Sequence, residues 1–273
     1  MPELVEVEYY RRAALPLVGA TIERVTVRDE RFVRPAGGAA RLRRTLRGAR
    51  IDGLERIGKL LIVRTSGASL GLRFGMTGVL VVEGTDTLDE LVYGPTRRDP
   101  AWVRLVVTTS AGDLAVRDPR ILGSAELDPD TSRLGPDALG VTAGQLAAAL
   151  SGSSVPLKAR LLDQQRLAGV GNLIADEVLW RASLHPQRPA GSLTPAEVRR
   201  LHRHLRTALD DLLAAGGSHQ GRITPERRPG GRCPRDGTPL RRATVGGRTT
   251  WWCPAHQTLT PGTAGGDTRR AGR

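Results

Sequence analysis

Hydrophobic positions along the chain follow two rhythms, and the change falls near Pro136. At the start, Leu4 and Val7 share one face at helical spacing, while Glu3, Glu6 and Tyr10 fall on another at i, i+3 and i+7. Pro2 stands at an early helical position and the glutamates suit the positive end of the dipole, so a short helix is expected. From Thr21 to about Glu126 the pattern turns to short alternating or apolar runs, at residues 21–27, 59–65, 69–73, 78–82, 102–108 and 113–116, punctuated by Gly and Pro. That spacing predicts the strands of a β-sandwich or barrel, with a helical interruption over residues 39–46. After Pro136 the spacing becomes helical: one helix headed by Thr142, others over 157–164 and 172–182. Thr194-Pro195-Ala196-Glu197 is a capping box with Pro at the first helical position. It opens a long helix with Leu201, Leu205, Leu209 and Leu212 on one stripe, closed by Gly216-Gly217. The expected division is 1–130, 136–217, a small module over 228–258, and a disordered Gly/Thr/Arg tail over 259–273. No internal repeat is present.

Composition narrows the class. The length of 273 residues suits two domains with a small appendage, and 39% hydrophobic content suffices for a real core. No apolar run approaches the ~20 residues of a membrane span, and Glu3, Glu6 and Glu8 occupy the place where a signal peptide is basic then apolar. A cytoplasmic, nucleoid-associated protein is therefore expected, and two cysteines make no disulfide framework. Lys59 and Lys158 are the only lysines among 41 basic residues, a bias expected of a GC-rich genome that makes each lysine worth inspecting. The formal charge of +13 is uneven: residues 221–273 carry 11 Arg against 3 acids, or +8. Clustered basic charge is the footprint of a polyanion partner. Aromatic content of 3% disfavours a base-stacking platform, which leaves duplex DNA.

Three constellations carry candidate chemistry. Removal of Met1 would expose the secondary amine of Pro2, which titrates near 8 rather than the ~10.4 of a lysine. An uncharged amine can attack an aldehyde carbon to give an iminium, with Glu3 and Glu6 beside it as acid and base. Proline and glutamate at a helix start are equally ordinary capping. The turn Gly169-Val170-Gly171-Asn172 could present free backbone amides to a phosphate at a helix start, or could simply connect helices. Cys233, Asp236, Cys253 and His256 form two x2 pairs separated by 16 residues, the spacing of a zinc ribbon. The alternative is a metal-free finger held by Trp251 and Trp252.

In this order, these pieces resemble the formamidopyrimidine-DNA glycosylase/endonuclease VIII family. The resemblance rests on Met1-Pro2-Glu3-Leu4-Val5-Glu6-Val7-Glu8, Gly58-Lys59-Leu60-Leu61, Gly75-Met76-Thr77-Gly78, Asp118-Pro119-Arg120, the run from Gly169 to Glu177, and Arg248 to Cys253. It implies an α+β multidomain fold: N-terminal β-sandwich, helix-two-turn-helix domain, C-terminal zinc-finger hairpin, and damaged duplex DNA in the cleft between. It implies Pro2 as nucleophile, Glu3 as the acid for base loss and ring opening, and Glu6 as its supporting carboxylate. Lys59 would serve phosphate contact and proton transfer in β-elimination, and Arg248 δ-elimination. Asn172 and Arg248 would grip the phosphates flanking the lesion. Met76, Arg120 and Leu122 would fill the gap left by a flipped nucleotide, and Lys158, beside the motifs, is expected to contact DNA. A structural zinc and a monomer complete the expectation.

Departures from the family pattern sharpen it. Leu122 stands where many members have phenylalanine and Ile121 where they have a second arginine, which predicts looser reading of the opposite base. Only residues 217–232 separate the long helix from Cys233. Members specialised for 8-oxoguanine carry a longer segment there, so ring-opened purines, oxidised pyrimidines or abasic sites are favoured. The rival readings are a non-catalytic damaged-DNA-binding protein and a lyase with negligible glycosylase activity.

Overall fold

The structure is a computed structural model that describes residues 2–87 and 98–259. Met1, whose removal the sequence predicts, and the expected disordered tail beyond Leu259 lie outside the described residues.

The elements in chain order begin with α1 (Leu4–Ala13), β1 (Ile22–Val27), α2 (Glu30–Val33), α3 (Ala39–Leu46), β2 (Ile51–Ile57), β3 (Leu60–Thr65) and β4 (Leu70–Arg73). Next come β5 (Val79–Val82), β6 (Thr85–Asp86), β7 (Val103–Thr109), β8 (Gly112–Arg117) and β9 (Ser124–Leu127). The helical part holds α4 (Ala143–Leu150), α5 (Leu157–Leu162), α6 (Asn172–Arg181) and α7 (Pro195–Ala215), and the hairpin β10 (Arg241–Val245) and β11 (Arg248–Trp252) follows.

Among the described residues, the named strands pair only antiparallel. One sheet runs β1-β7-β8-β5-β6 and the other β2-β3-β4-β9, and their inner faces meet over a core that includes Leu61, Leu72, Leu80, Leu105, Leu114 and Val116. The strand β2 escapes an alternation search because its partners shift register between Ile51 and Gly53, which breaks the period of two. A second core joins Leu146, Leu150, Leu161, Ile174, Val178, Leu201, Leu205, Leu209 and Leu212 from the helices. The helix α7 starts at the Thr194–Glu197 capping box and ends at Gly216 in the left-handed conformation, as its sequence demands.

The first helix departs from expectation in two ways. It begins at Leu4 with Glu3 as N-cap, so Pro2 precedes the helix rather than opening it. Leu4 and Val7 also enter different cores: Leu4 and Val5 join the helical core, Val7 and Tyr10 the sandwich. Thus α1 is buried on nearly all sides and acts as the seam between domains. A buried clamp reinforces the seam, with Arg56 forked onto Asp137 at 2.6 and 2.9 Å and reaching Glu8 at 3.2 Å. Asp137 also accepts from the Gly58 amide at 2.6 Å. Despite its burial, the guanidinium groups of Arg11, Arg12 and Arg56 hold Glu8 at a pKa of about 2. Among the described residues, no helix is long and apolar enough to cross a membrane.

Candidate active site

The chemistry gathers at the head of α1. Glu6 Oε2 accepts from the Glu3 amide at 2.8 Å, and its other oxygen accepts from the Ser218 amide at 2.6 Å, which ties the N-terminus to the segment after α7. Glu3 caps a different helix. Its two oxygens accept from the amides of Leu173 (2.8 Å) and Ile174 (3.1 Å) in the first turn of α6. These first-turn amides of α6 thus hold a protein carboxylate, and in the turn before them the Gly169 amide donates to Gln164 Oε1 at 2.9 Å. Gly171 is required for the approach: a Cβ there would lie 2.2 Å from Glu3 Cδ.

Glu3 is 1% exposed. Burial raises its pKa, and Glu6 adds to the rise, against Lys59 and the two amides. Lys59 sits in the two-residue turn between β2 and β3, where Ile57 pairs with Leu60. Burial lowers its pKa and Arg248 lowers it further, while Glu3 and Glu6 oppose the drop. Pro2, Lys59, Arg73, Phe74 and Gly75 line one cavity of about 210 Å³. Pro2 and Lys59, an amine whose pKa is lowered, therefore face a common space, and the buried carboxyl of Glu3 interacts with Lys59 from beside it.

Around this space lie the other residues singled out by sequence. Met76, half-buried, occupies the turn after β4, and exposed Arg120 and Leu122 occupy the loop between β8 and β9. The two loops touch, since Gly75 packs on the Leu122 backbone. Asn172 opens α6 next to the glycine that meets Glu3, and its buried Oδ1 has no hydrogen-bond partner. Exposed Arg248 heads β11, directly after the Gly246-Gly247 turn, and Gly246 abuts Ala159 of α5.

Lys158 is a correction. It is wholly buried, its Nζ 2.7 Å from Asp176 Oδ1, 3.0 Å from the Thr249 carbonyl and 2.8 Å from Thr250 Oγ1. Burial lowers its pKa, opposed by Asp176. An ammonium with three protein acceptors and no exposure does not reach DNA; it pins the strand carrying Arg248 to α5 and α6.

The four finger residues converge, with one ligand atom from each all within 4.8 Å of one another. Cys233 Sγ is 3.3 Å from His256 Nε2, and Cys253 Sγ is 3.5 Å from Asp236 Oδ2. Tetrahedral zinc with bonds of about 2.0–2.3 Å separates its ligands by about 3.3–3.8 Å, so the donor set fits a metal. Burial, with Arg235, lowers the His256 pKa against the opposing pull of Asp236, a shift in favour of the neutral imidazole that a metal ligand must be. Sequence reading missed Trp180, whose Nε1 donates to Cys233 Sγ at 3.3 Å and whose ring carries Arg235 at 5.0 Å. It also missed Arg56 and Asp137, which carry no local signal because 81 positions separate them.

Comparison with known proteins agrees with this geometry. Residues 1–125 match the formamidopyrimidine-DNA glycosylase N-terminal domain, and residues 134–222 match the H2TH domain of the same enzyme. A formamidopyrimidine-DNA glycosylase of Symbiobacterium thermophilum is 36% identical, over 97% of this chain and 92% of its own length. Its counterpart in Thermus thermophilus is 37% identical, over 94% of this chain and 98% of its own length. Among solved structures, the Lactococcus lactis Fpg bound to abasic-site DNA superposes with a TM-score of 0.78 at 27% identity, covering 94% of this chain and 100% of that one. A MutM complex with DNA containing carbocyclic 8-oxo-G gives a TM-score of 0.79 at 28% identity, with the same coverage. Two matched domains in order, on a sandwich joined to a helical domain through a buried N-terminal helix, show that the chain belongs to the formamidopyrimidine-DNA glycosylase family.

Proposed function

We propose that this chain excises ring-opened purines from duplex DNA and cleaves the resulting abasic site through an iminium on Pro2. The observation that carries the reading is Pro2 and Lys59 on one cavity wall, with Lys59 coupled to the buried carboxyl Glu3. The damaged nucleotide must leave the stack to reach that cavity, a cost that is least for a damaged pair. Met76, Arg120 and Leu122 fill the space it vacates, and Asn172 and Arg248 hold the flanking phosphates.

The proposed steps balance without any redox partner. With Met1 removed, the Pro2 nitrogen forms a bond to C1′ as the bond from C1′ to the base breaks; Glu3 gives its proton to the departing base and takes up the Pro2 N–H proton in return. Glu3 then protonates the ring oxygen O4′ as its bond to C1′ breaks, which leaves the C1′=N⁺ iminium. The iminium acidifies C2′; Lys59, with its lowered pKa, takes that proton, and the 3′ phosphate leaves in β-elimination. A second elimination, in which C4′ gives its proton to solvent as the C5′–O bond breaks, expels the 5′ phosphate next to Arg248, and water hydrolyses the iminium to free Pro2. Zinc held by Cys233, Asp236, Cys253 and His256 would shape the finger and take no part in these steps.

Ring-opened purines are preferred among the lesion classes because the relatives are named for formamidopyrimidines and a neighbouring Lactococcus lactis structure contains Fapy-dG DNA. The segment over 217–232 is short and tethered by bonds from Ser218 to Glu6, Ile223 to Glu177 and Arg227 to Asp176, which supports the reading that it does not cover a flipped 8-oxoguanine. Borohydride with duplexes containing formamidopyrimidine, 8-oxoguanine or an abasic site tests the reading. Covalent trapping is expected on the first and third, and Pro2→Gly is expected to abolish it. Trapping by Pro2→Gly at the wild-type level, or wild type with Met1 intact and fully active, would refute the mechanism.

A further inference from the structure

One buried carboxylate holds both gap-filling loops. Asp118 is fully buried and its oxygens take four donors. Oδ1 accepts from Thr77 Oγ1 at 2.7 Å and the Arg120 amide at 3.2 Å; Oδ2 accepts from the amides of Leu122 and Gly123, each at 2.8 Å. Thr77 follows Met76 on the turn after β4, whereas Arg120 and Leu122 belong to the loop after β8. A buried carboxylate without such donors would be strongly unfavourable, and charge-assisted bonds of this kind are strong. The side chain therefore acts as a rivet between two loops 41 positions apart.

The loop it holds is not in a relaxed conformation. Ile121 has φ +52°, a left-handed conformation that costs a β-branched residue energy and persists only where its surroundings enforce it. Asp118 encloses that residue from both sides, at the Arg120 amide before it and the Leu122 amide after it. Gly75, with φ +57°, allows the second loop to lie against the Leu122 backbone, where a Cβ would come within 2.4 Å of the Leu122 carbonyl carbon. Leu122 itself remains 49% exposed, an apolar side chain held out to solvent on a braced backbone.

We infer that Asp118 is a positioning residue for nucleotide extrusion: through Thr77 and the amides of residues 120–123 it holds Met76, Arg120 and Leu122 as one preformed wedge. This rests on the reading of those three side chains as the gap fillers. A preformed wedge offsets lost stacking at once, whereas loose loops must first be ordered on the DNA. Asp118 touches neither the cavity nor Pro2, so the covalent chemistry itself is expected to be indifferent to it.

The test compares a substrate that needs extrusion with one that does not. Asp118→Ala and Thr77→Val are each assayed on a formamidopyrimidine duplex carrying 2-aminopurine beside the lesion, and on a single-stranded abasic oligonucleotide. Both variants are expected to slow the fluorescence rise and single-turnover base release on the duplex by about tenfold or more. Borohydride trapping on the single strand is expected to stay at the wild-type rate. Thr77→Val severs only the link between the loops and replaces a hydroxyl by a methyl, so it decides the question even if Asp118→Ala does not fold. Equal losses on both substrates, or no loss on either, would overturn the role of Asp118. Wild-type extrusion by Leu122→Ala and Met76→Ala would instead overturn the wedge reading, and the role of Asp118 with it.

Discussion

Glu3 is defined by what surrounds it rather than by its position in a motif. Its pKa is raised by burial, so its stabilising contribution is complete below the ordinary value of 4.5 and is lost as pH climbs through the raised value. Glu3→Gln is therefore expected to gain thermal stability relative to wild type as pH rises from 4.5 to 8, in a series of melting curves. The same variant is expected to lose base release by about 10²–10⁴-fold, the usual worth of a general acid. Trapping on preformed abasic DNA should survive, because that sugar already exchanges with its open aldehyde; loss of both together would remove Glu3 from the acid role. The sequence displayed Pro2, Glu3 and Glu6 as a cluster, since they are neighbours in the chain. It could not display the amides of Leu173 and Ile174, which are about 170 positions away and belong to backbone that any residue could supply. For the same reason it read Lys158 as a DNA contact when its partners are Asp176, Thr249 and Thr250.

At the level of elements, the hairpin β10–β11 shows how a two-stranded piece can hold Arg248, the arginine proposed to act in δ-elimination, in a fixed place. Two strands alone are marginal in water. Here β11 leans on α6, Lys158 bonds to its backbone, and Trp180, Ile223, Cys233 and Cys253 make a small core beneath it. A metal held by the four-ligand cluster would add a further constraint. One zinc per chain is expected by elemental analysis of the purified protein, and Cys253→Ser is expected to lose it. That variant should also lose δ-elimination more than β-elimination, because Arg248 sits on the strand that leads directly into Cys253; unchanged metal content would exclude the cluster as the ligand set. Ligand spacing made this module legible, whereas β2 was not, because its bulge hides the alternation that marks a strand.

On the scale of the whole molecule, α1 belongs to two cores at once, and Arg56 and Asp137 close the same seam with a buried fork. Truncation of wholly buried Leu4 to Ala is expected to cost about 2–5 kcal/mol. Calorimetry should show one transition for sandwich and helical domain in wild type, moved downward as a unit by Leu4→Ala; two separable transitions in wild type would show that the seam does not couple them. The carboxyl of Glu3, borne by the chain ahead of the sandwich, is held by the first turn of a helix in the other domain. Prising the domains apart would strip it of both amides and flood it with water, returning it to an ordinary ionised acid. On the proposed reading of Glu3 as the proton donor, the acid is assembled only where the two halves meet, so the seam that joins the domains also sets the strength of the acid.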